Sequence, residues 1–301
     1  MQNEIIKNQG RTIYNLRFAN LTDLHDYLKQ NPVVNRSVFE RQASLNLDSD
    51  FYGEPLDKAI EYCIGGYSEG FKNFLVANDK LKSTTRDLSD NRVLTRTIYG
   101  GMPLSALVAA GVPDCLLRYE RDTTSVVRNI YYNLAYPAST SANKIINRGL
   151  ATLYIIQALE AKGEMINFQA FELSECSDEI VNIEINLKKP GDLFLDIEKC
   201  YFPIKGKEFL RRVLFRVLES SPVKNDYWGE GYGSPLNQEG IREFFNATEN
   251  DLVISYPSEM GIEGGNIYDD TITLIERLGL ESEFDIPKIK QLKLDEQSRR
   301  F

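Results

Sequence analysis

The chain has 301 residues, of which 44 are acidic and 35 are basic, and its formal net charge is −9. An acidic surface repels phosphate backbones, so this balance disfavours nucleic-acid binding. No run reaches the roughly 20 apolar residues of a membrane span, and the first residues lack the basic-then-apolar pattern of a signal peptide. We therefore expect a cytoplasmic protein without membrane contact, with one large domain and a smaller attachment.

Histidine and cysteine, which often serve in catalysis and metal binding, are scarce in this chain. The only histidine is His25, in the segment LTDLHDYLKQ, where it is predicted at an exposed helix position between Asp23 and Asp26. The four cysteines are scattered and form no C-x-x-C pair of the kind that zinc sites use. These observations predict no catalytic residues, no cofactor and no metal.

Residues 1–92 are predicted as an N-terminal extension that is mainly helical. Asn20 or Thr22 suits the N-cap of the first helix, and a stronger helix begins after the turn GEP. Residues 80–92 are polar without periodicity, which is typical of a linker. The main domain is expected at 93–286.

The chain is organised around residues 126–171, which predict an apolar strand, a polar loop, an amphipathic helix, a glycine turn and a second apolar strand. Two strands joined by a helix are normally parallel neighbours. Ligand sites in such sheets lie at the carboxyl ends of the strands, so the loop 133–141 is the first place to search for chemistry.

Further elements follow this unit. The run EIVNIEINLK alternates apolar and polar residues, which favours an antiparallel or edge strand. GKEFLRRVLFRVLESSP predicts a firm helix, and the glycine-rich aromatic loop NDYWGEGYGSPLNQEG follows it. The strand DLVISYP and the helix DDTITLIERLG complete the domain. Residues 287–301 carry five basic side chains and are predicted as a mobile tail.

The segment LEAKGEMINFQAF resembles the helix–turn–strand part of von Willebrand factor A-like domains. The resemblance implies an α/β fold with a Rossmann-like, three-layer arrangement around the sheet. In that family an Asp-x-Ser-x-Ser loop after the first strand holds a divalent cation. The matching positions in this chain are Asn133, Ala135 and Pro137, so the metal loop is degenerate. Ser139, Thr140 and Ser141 keep hydroxyls, but Ser139 or Ser141 is interpreted as a cap for the helix that begins near Ala142.

Four segments also resemble an uncharacterised family of proteins from phages and other mobile elements: GEPLDKAIEYCIGGYSEG, PLSALVAAGVPDCL, LEAKGEMINFQAF and FPIKGKEFLRRVLFRVLESSP. This resemblance covers most of residues 54–280. It implies a non-enzymatic protein–protein interaction factor that acts in the bacterial cytoplasm on a host protein assembly, as an inhibitor of anti-phage defence would. A homo-oligomer is compatible with this role.

Two groups of residues are candidates for partner binding. The first is the aromatic group Tyr227, Trp228 and Tyr232, because Tyr and Trp are enriched in binding hot spots. The opposing interpretation is that Trp228 folds inward and anchors its own loop. The second is the set of arginines on one helix: Arg211, Arg212 and Arg216. The opposing interpretation is that they form a solvated face or pair with acidic neighbours.

Two functions of other classes stay open at this point. The first is a metal-dependent hydrolase or ligand-binding protein that uses an unrecognised carboxylate cluster. A thermal shift with Mg²⁺, Mn²⁺ or Ca²⁺ would reveal it, because a ligand that binds only the folded state raises its stability. The second is nucleic-acid binding through residues 205–216, which predicts an affinity that falls steeply with salt.

Overall fold

The computed structural model describes residues 2–8, 10–31, 53–67, 71–72, 74–75, 78, 81, 92–98, 102–121, 127–176, 178–192, 195–221 and 234–298. The strands within these ranges are β1 (Gln2–Asn8), β2 (Arg11–Phe18), β3 (Arg92–Thr97), β4 (Met102–Pro103), β5 (Leu116–Arg121), β6 (Val127–Asn133), β7 (Met165–Cys176), β8 (Glu179–Lys188), β9 (Ser234–Pro235) and β10 (Leu252–Ile254).

Helices alternate with these strands through most of the described chain. They are α1 (Leu21–Gln30), α2 (Leu56–Gly65), α3 (Ser105–Ala109), α4 (Ala142–Ala161), α5 (Ile197–Lys205), a π-helical segment (Phe209–Leu214) that continues as α6 (Phe215–Ser220), α7 (Gln238–Phe245), α8 (Ile267–Arg277), a 3₁₀ turn (Glu281–Glu283) and α9 (Ile286–Ser298). The protein is therefore a mixed α/β structure.

A seven-stranded mixed sheet runs in the order β1-β2-β8-β7-β6-β10, with β9 paired to the outer part of β7. The predicted strand–helix–strand unit is β6, α4 and β7, and its two strands are parallel, with Val127 opposite Met165 and Asn133 opposite Phe171. β10 lies parallel to β6 on the other side, and β8 is antiparallel to β7. The pattern of EIVNIEINLK favours an antiparallel or edge strand, but β8 is an interior strand that is antiparallel to β7 and parallel to β2, so the expectation holds for one neighbour only.

The two faces of this sheet carry different clusters of buried side chains. The first, here named the helical face, includes Leu16, Tyr132, Phe168 and Ile183 within the main core, together with residues of α1, α4, α5, α6 and α8. The second, here named the α7 face, is a smaller cluster of Phe171, Leu173, Ile180, Ile241 and Val253. Of the helices that the structure describes, α7 alone contributes buried side chains to this second cluster.

The N-terminal region contributes strands as well as helices. The hairpin β1–β2 extends the main sheet, because β2 pairs in parallel with β8 from Thr12–Glu179 to Phe18–Ile185. A separate three-stranded sheet has the order β3-β5-β4. The predicted cap at Asn20 is present: its side chain accepts from Asp23 N at 2.9 Å.

The C-terminal segment differs from the predicted mobile tail. Residues 286–298 form α9, in which Ile289 is fully buried. Lys293 pairs with Asp269 of α8 at 2.7 Å. The basic side chains of this segment are therefore compatible with a packed amphipathic helix, since lysines extend to solvent from one side. None of the helices in the described ranges combines the length and the apolar character that crossing a membrane requires.

Candidate functional site

The loop after β6 is the predicted ligand position, and one of its side-chain oxygens is used within the loop itself. Asn133 is fully buried, and its Oδ1 accepts from the backbone N of Ala135 at 2.9 Å. Its Nδ2 has no partner among the described protein atoms. Ser141 is the N-cap residue of α4, as predicted, but its side chain makes no capping hydrogen bond. Asn133 therefore stabilises the turn through this hydrogen bond. Because asparagine is neutral, it supplies no carboxylate at this position.

Arg148 of α4 is a buried cation that connects the helix to the carboxyl edge of the sheet. Its side chain is fully buried, and the guanidinium carbon lies 4.3 Å from the centroid of the Tyr132 ring. Nη1 donates to the carbonyl of Ser255, directly after β10, at 2.6 Å. Nε has no partner among the described protein atoms. Arg148 thus joins α4 to the ends of β6 and β10.

The residues at this edge do not fit a metal ion. Ala135 and Pro137 have no side-chain oxygen, and the oxygen of Asn133 is already an acceptor in the turn. Arg211 donates from Nη2 to the carbonyl of Ala138 at 3.0 Å, so the loop lies between two guanidinium groups. A cation placed there would be repelled by both. Within the described ranges, no group of three or more His, Cys, Asp or Glu side chains is arranged to hold a metal.

Close packing of α4 on α5 also stabilises the carboxyl edge of the sheet. A Cβ at Gly149 would lie 2.7 Å from the carbonyl oxygen of Ile204, which leaves room only for glycine. That carbonyl also accepts from Tyr132 Oη at 3.0 Å. Burial raises the pKa of the Tyr132 phenol, while Arg148 lowers it in part. These contacts keep Tyr132 protonated as a donor, so it serves structure.

Glu172 is a buried carboxyl group one residue beyond the end of the β6–β7 pairing. It is 1% exposed, and Ser174 Oγ donates to its Oε1 at 2.9 Å. Oε2 has no partner among the described protein atoms. Burial raises the pKa of Glu172 to about 8, and the Ser174 hydrogen bond offsets this only in part. Glu172 is therefore neutral at pH 7, with no described cation beside it.

The three arginines predicted to form an accessible face are buried. Arg211, Arg212 and Arg216 are 5%, 1% and 8% exposed. Arg212 Nε donates to the carbonyl of Glu54 at 3.1 Å, and Arg216 Nη2 donates to the carbonyl of Asn31 at 2.9 Å. A guanidinium has five donors in a planar fork, so it can satisfy carbonyls at the ends of other elements. The prediction of an exposed basic face is wrong, and a partner-binding role for these residues stays a prediction.

The sequence pattern does not indicate this burial. The apolar residues of the run recur at spacings of one and four and share one half of the helix, which is typical of an amphipathic helix with a polar outer face; they are Phe209, Leu210, Val213, Leu214, Val217 and Leu218. His25 was also misplaced because of its polar neighbours. It is 8% exposed, on the packed side of α1, and its Nδ1 lies 3.1 Å from Asp26 Oδ1. The prediction of an exposed histidine is therefore also wrong.

The predicted aromatic recognition group lies outside the described residues. Tyr227, Trp228 and Tyr232 fall within residues 222–233, which are not among the described ranges. Their role in partner binding stays a prediction.

A groove of about 730 Å³ lies on the α7 face, and we name it the α7 groove. Apolar side chains from the hairpin β1–β2, from β8 and from β9–α7 form its floor; they are Ile6, Ile13, Ile180, Leu236 and Phe244. Ile6 is 37% exposed, and Phe244 is half-buried against Phe245, with ring centroids 5.1 Å apart. Asn15, Arg17 and Asn237 also line the groove, so it is an accessible surface of mixed polar and apolar character beside α7.

The two walls of the α7 groove carry opposite charges. Arg11 is exposed on the hairpin wall, and Glu175 and Glu243 are exposed on the wall formed by β7 and α7. None of these three makes an ion pair within the described residues, whereas Arg17, near the other end of β2, pairs with Glu184 at 3.2 Å. Charges of both signs are thus left available around an apolar floor, as at the rim of a protein interface.

A second cleft, of about 430 Å³, lies between the start of α4 and α9. Its charged groups are paired internally: Lys293 with Asp269 at 2.7 Å, and Glu296 with the hydroxyl of Tyr268 at 2.7 Å. It therefore offers fewer available charges than the α7 groove. The alternation in β2 predicts which residues share a face, but no sequence pattern shows that α7 covers only part of that face.

Comparison with protein-family models matches residues 3–282 to a domain of unknown function, DUF7192. The match covers most of the chain, so the chain belongs to this family. No curated protein and no solved structure is significantly similar to it.

Proposed function

We propose that this member of the DUF7192 family is a non-enzymatic protein-interaction module that binds its partner through the α7 groove. The observation that carries the proposal is a groove of about 730 Å³ with apolar side chains in its floor. Its walls carry Arg11 on one side and Glu175 and Glu243 on the other, and these charges make no ion pair within the described residues. Apolar patches rimmed by polar residues mark interaction sites.

The carboxyl edge of the sheet also supports the proposal, because residues that serve the fold occupy the usual ligand position. In open α/β sheets this edge usually receives small ligands. In this protein Arg148 and Tyr132 fill it with bonds between elements of the fold, and Asn133 closes its own turn. We propose the fold as a von Willebrand factor A-like, Rossmann-like three-layer arrangement in which the ion loop has become structural. The parallel unit β6–α4–β7 and the degenerate positions after β6 support it.

The proposed partner is a host protein assembly in the bacterial cytoplasm, and inhibition of anti-phage defence is the proposed consequence. This step rests on the resemblance of four sequence segments to proteins of mobile elements. The groove is compatible with it, because a stoichiometric inhibitor needs a surface and no catalytic group.

A pull-down that compares two neighbouring isoleucines tests the groove. Ile5 and Ile6 stand side by side in β1 but face opposite sides of the sheet, since Ile5 pairs with Tyr14 and Ile6 with Ile13. The tagged wild-type chain and the Ile5→Glu variant should recover one protein from bacterial lysate in stoichiometric amount, and Ile6→Glu should recover less than about a tenth of it. A charge buried in an apolar contact without a partner accounts for a loss of this size.

Recovery of no stoichiometric protein by the wild-type chain would overturn the proposal. Equal recovery by both glutamate variants would place the contact elsewhere on the molecule. Thermal unfolding of all three proteins provides the control for folding.

A further inference from the structure

We infer that the α7 groove receives an amphipathic α-helix whose apolar face lies on the sheet and whose two flanks carry opposite charges. The inference rests on the proposed protein-binding function and specifies the chemistry of the partner. It uses the width of the groove, the composition of its floor and the charges on its walls.

The width of the groove suits a helix. Its floor extends from β2 across β8 and β7 to β9, since these strands follow one another in the sheet. Arg11 on β2 and Glu175 on β7 are separated by two strand spacings of about 4.8 Å, or roughly 10 Å. An α-helix with its side chains is about 10–12 Å across, so the two flanks of one helix would lie over these two residues.

The floor presents what the apolar face of a helix requires. α7 already packs on the same face through Ile241, which is fully buried, and through Phe245. A second helix beside it would contact Ile13, Ile180 and the exposed edge of Phe244. Helices pack side by side at about 8–10 Å, which matches a position adjacent to α7.

The walls select the charges of the helix flanks. Arg11 on the hairpin wall attracts an acidic flank, and Glu175 and Glu243 on the opposite wall attract a basic flank. A helix that lies face down can reverse its direction, so a helix with one acidic and one basic flank always has an orientation that satisfies both walls. A helix with two acidic or two basic flanks meets one wall of its own charge in either direction.

Three synthetic 18-residue helical peptides test this selection. All share one leucine face, and their flanks carry Glu and Lys on opposite sides, Glu on both sides, or Lys on both sides. Fluorescence anisotropy with the full chain should show the mixed-flank peptide binding about fivefold more tightly than either other peptide, the effect of about one exposed ion pair. Ile6→Glu should weaken the mixed-flank peptide at least tenfold, and Ile5→Glu should leave its affinity unchanged.

A charge reversal provides the sharpest outcome. Arg11→Glu makes both walls acidic, so the order of affinities should change and the all-lysine peptide should bind best. Lys7→Glu is the matched control, because it changes the net charge equally but lies on the other face of β1, where Lys7 pairs with Thr12. Lys7→Glu should preserve the wild-type order of affinities.

The inference is overturned if the three peptides bind equally, or if Lys7→Glu changes the order as much as Arg11→Glu. It is also overturned if light scattering shows that the chain alone forms dimers that Ile6→Glu dissociates, because the occupant is then a second copy. If the peptides fail while the pull-down partner still depends on Ile6, the protein-binding proposal stands and the helix is rejected.

Discussion

The carboxyl edge of the sheet and the α7 groove differ in how their polar groups are used. At the edge, Arg148, Arg211 and Tyr132 donate to carbonyls of neighbouring elements, and Asn133 closes its own loop. Among these groups, only the buried nitrogens Asn133 Nδ2 and Arg148 Nε have no partner within the described residues. In the groove, Arg11, Glu175 and Glu243 are exposed and make no ion pair within the described residues. Groups that are already bonded stabilise the fold, and groups that remain available can bind a partner.

Arg148→Ala should give the largest effect on stability. The change leaves a cavity beneath Tyr132 and removes the donor to the buried carbonyl of Ser255. We expect the free energy of unfolding to fall by about 3–5 kcal/mol, measured by urea denaturation. Arg148→Met keeps most of the volume and should lose less. Partner binding by the folded fraction should be unchanged, and a loss of binding without a loss of stability would contradict the structural role of this edge.

Glu172 should make stability depend on pH. Its folded-state pKa is raised to about 8 by burial, while the carboxyl group of the unfolded chain titrates near the ordinary glutamate pKa of 4.5. Between these two values the native state retains a proton that the unfolded state releases, so stability falls as pH rises. The slope approaches about 1.4 kcal/mol per pH unit. From pH 6 to pH 8 the wild type should therefore lose about 2–3 kcal/mol relative to Glu172→Gln. Parallel pH profiles of the two proteins would show that Glu172 does not titrate in this range.

Groove substitutions should have the smallest effect on stability. Ile6 and Arg11 lie at the surface of the hairpin, so Ile6→Glu and Arg11→Glu should change the free energy of unfolding by less than about 1 kcal/mol. Ile5→Glu should match Ile6→Glu in the same denaturation experiment. If Ile6→Glu were as destabilising as Arg148→Ala, the groove would belong to the core of the fold and the contrast between the two regions would disappear.

Local patterns account for the elements that the sequence predicted well. The unit β6–α4–β7 has apolar strands around a long helix rich in apolar residues, and the sequence of the strand at Glu179–Lys188 alternates apolar and polar residues. Periodicity and length indicate the type of an element, so both elements were accessible to prediction. They did not indicate the extent of burial, since α4 is buried on most sides between Ala151 and Leu159 and Asn182 of β8 is fully buried. The tail prediction was wrong because Ile289 is buried and α9 packs on the preceding helix α8, a tertiary contact that the basic composition of the segment does not reveal.

The candidate site could also be predicted only in part from the sequence. Residue identity alone indicated that the loop after β6 lacks an acidic ligand, since Asn133, Ala135 and Pro137 are visible in the sequence. The sequence could not indicate that Arg148 fills this edge. The arginine reaches Ser255 from 107 positions away in the chain, and only the fold brings them together.

The amino-acid sequence by itself determined the class of the protein, its central strand–helix–strand unit and the loss of the acidic ion ligand, because these depend on side-chain chemistry and on local periodicity. The tertiary structure decided which charges are buried and which remain available. Arg211, Arg212 and Arg216 donate to carbonyls of remote segments, while Arg11 stays at the rim of the α7 groove. The physical reason is that hydrogen bonding and solvation of a charge depend on neighbours in space, and those neighbours come from distant parts of the chain.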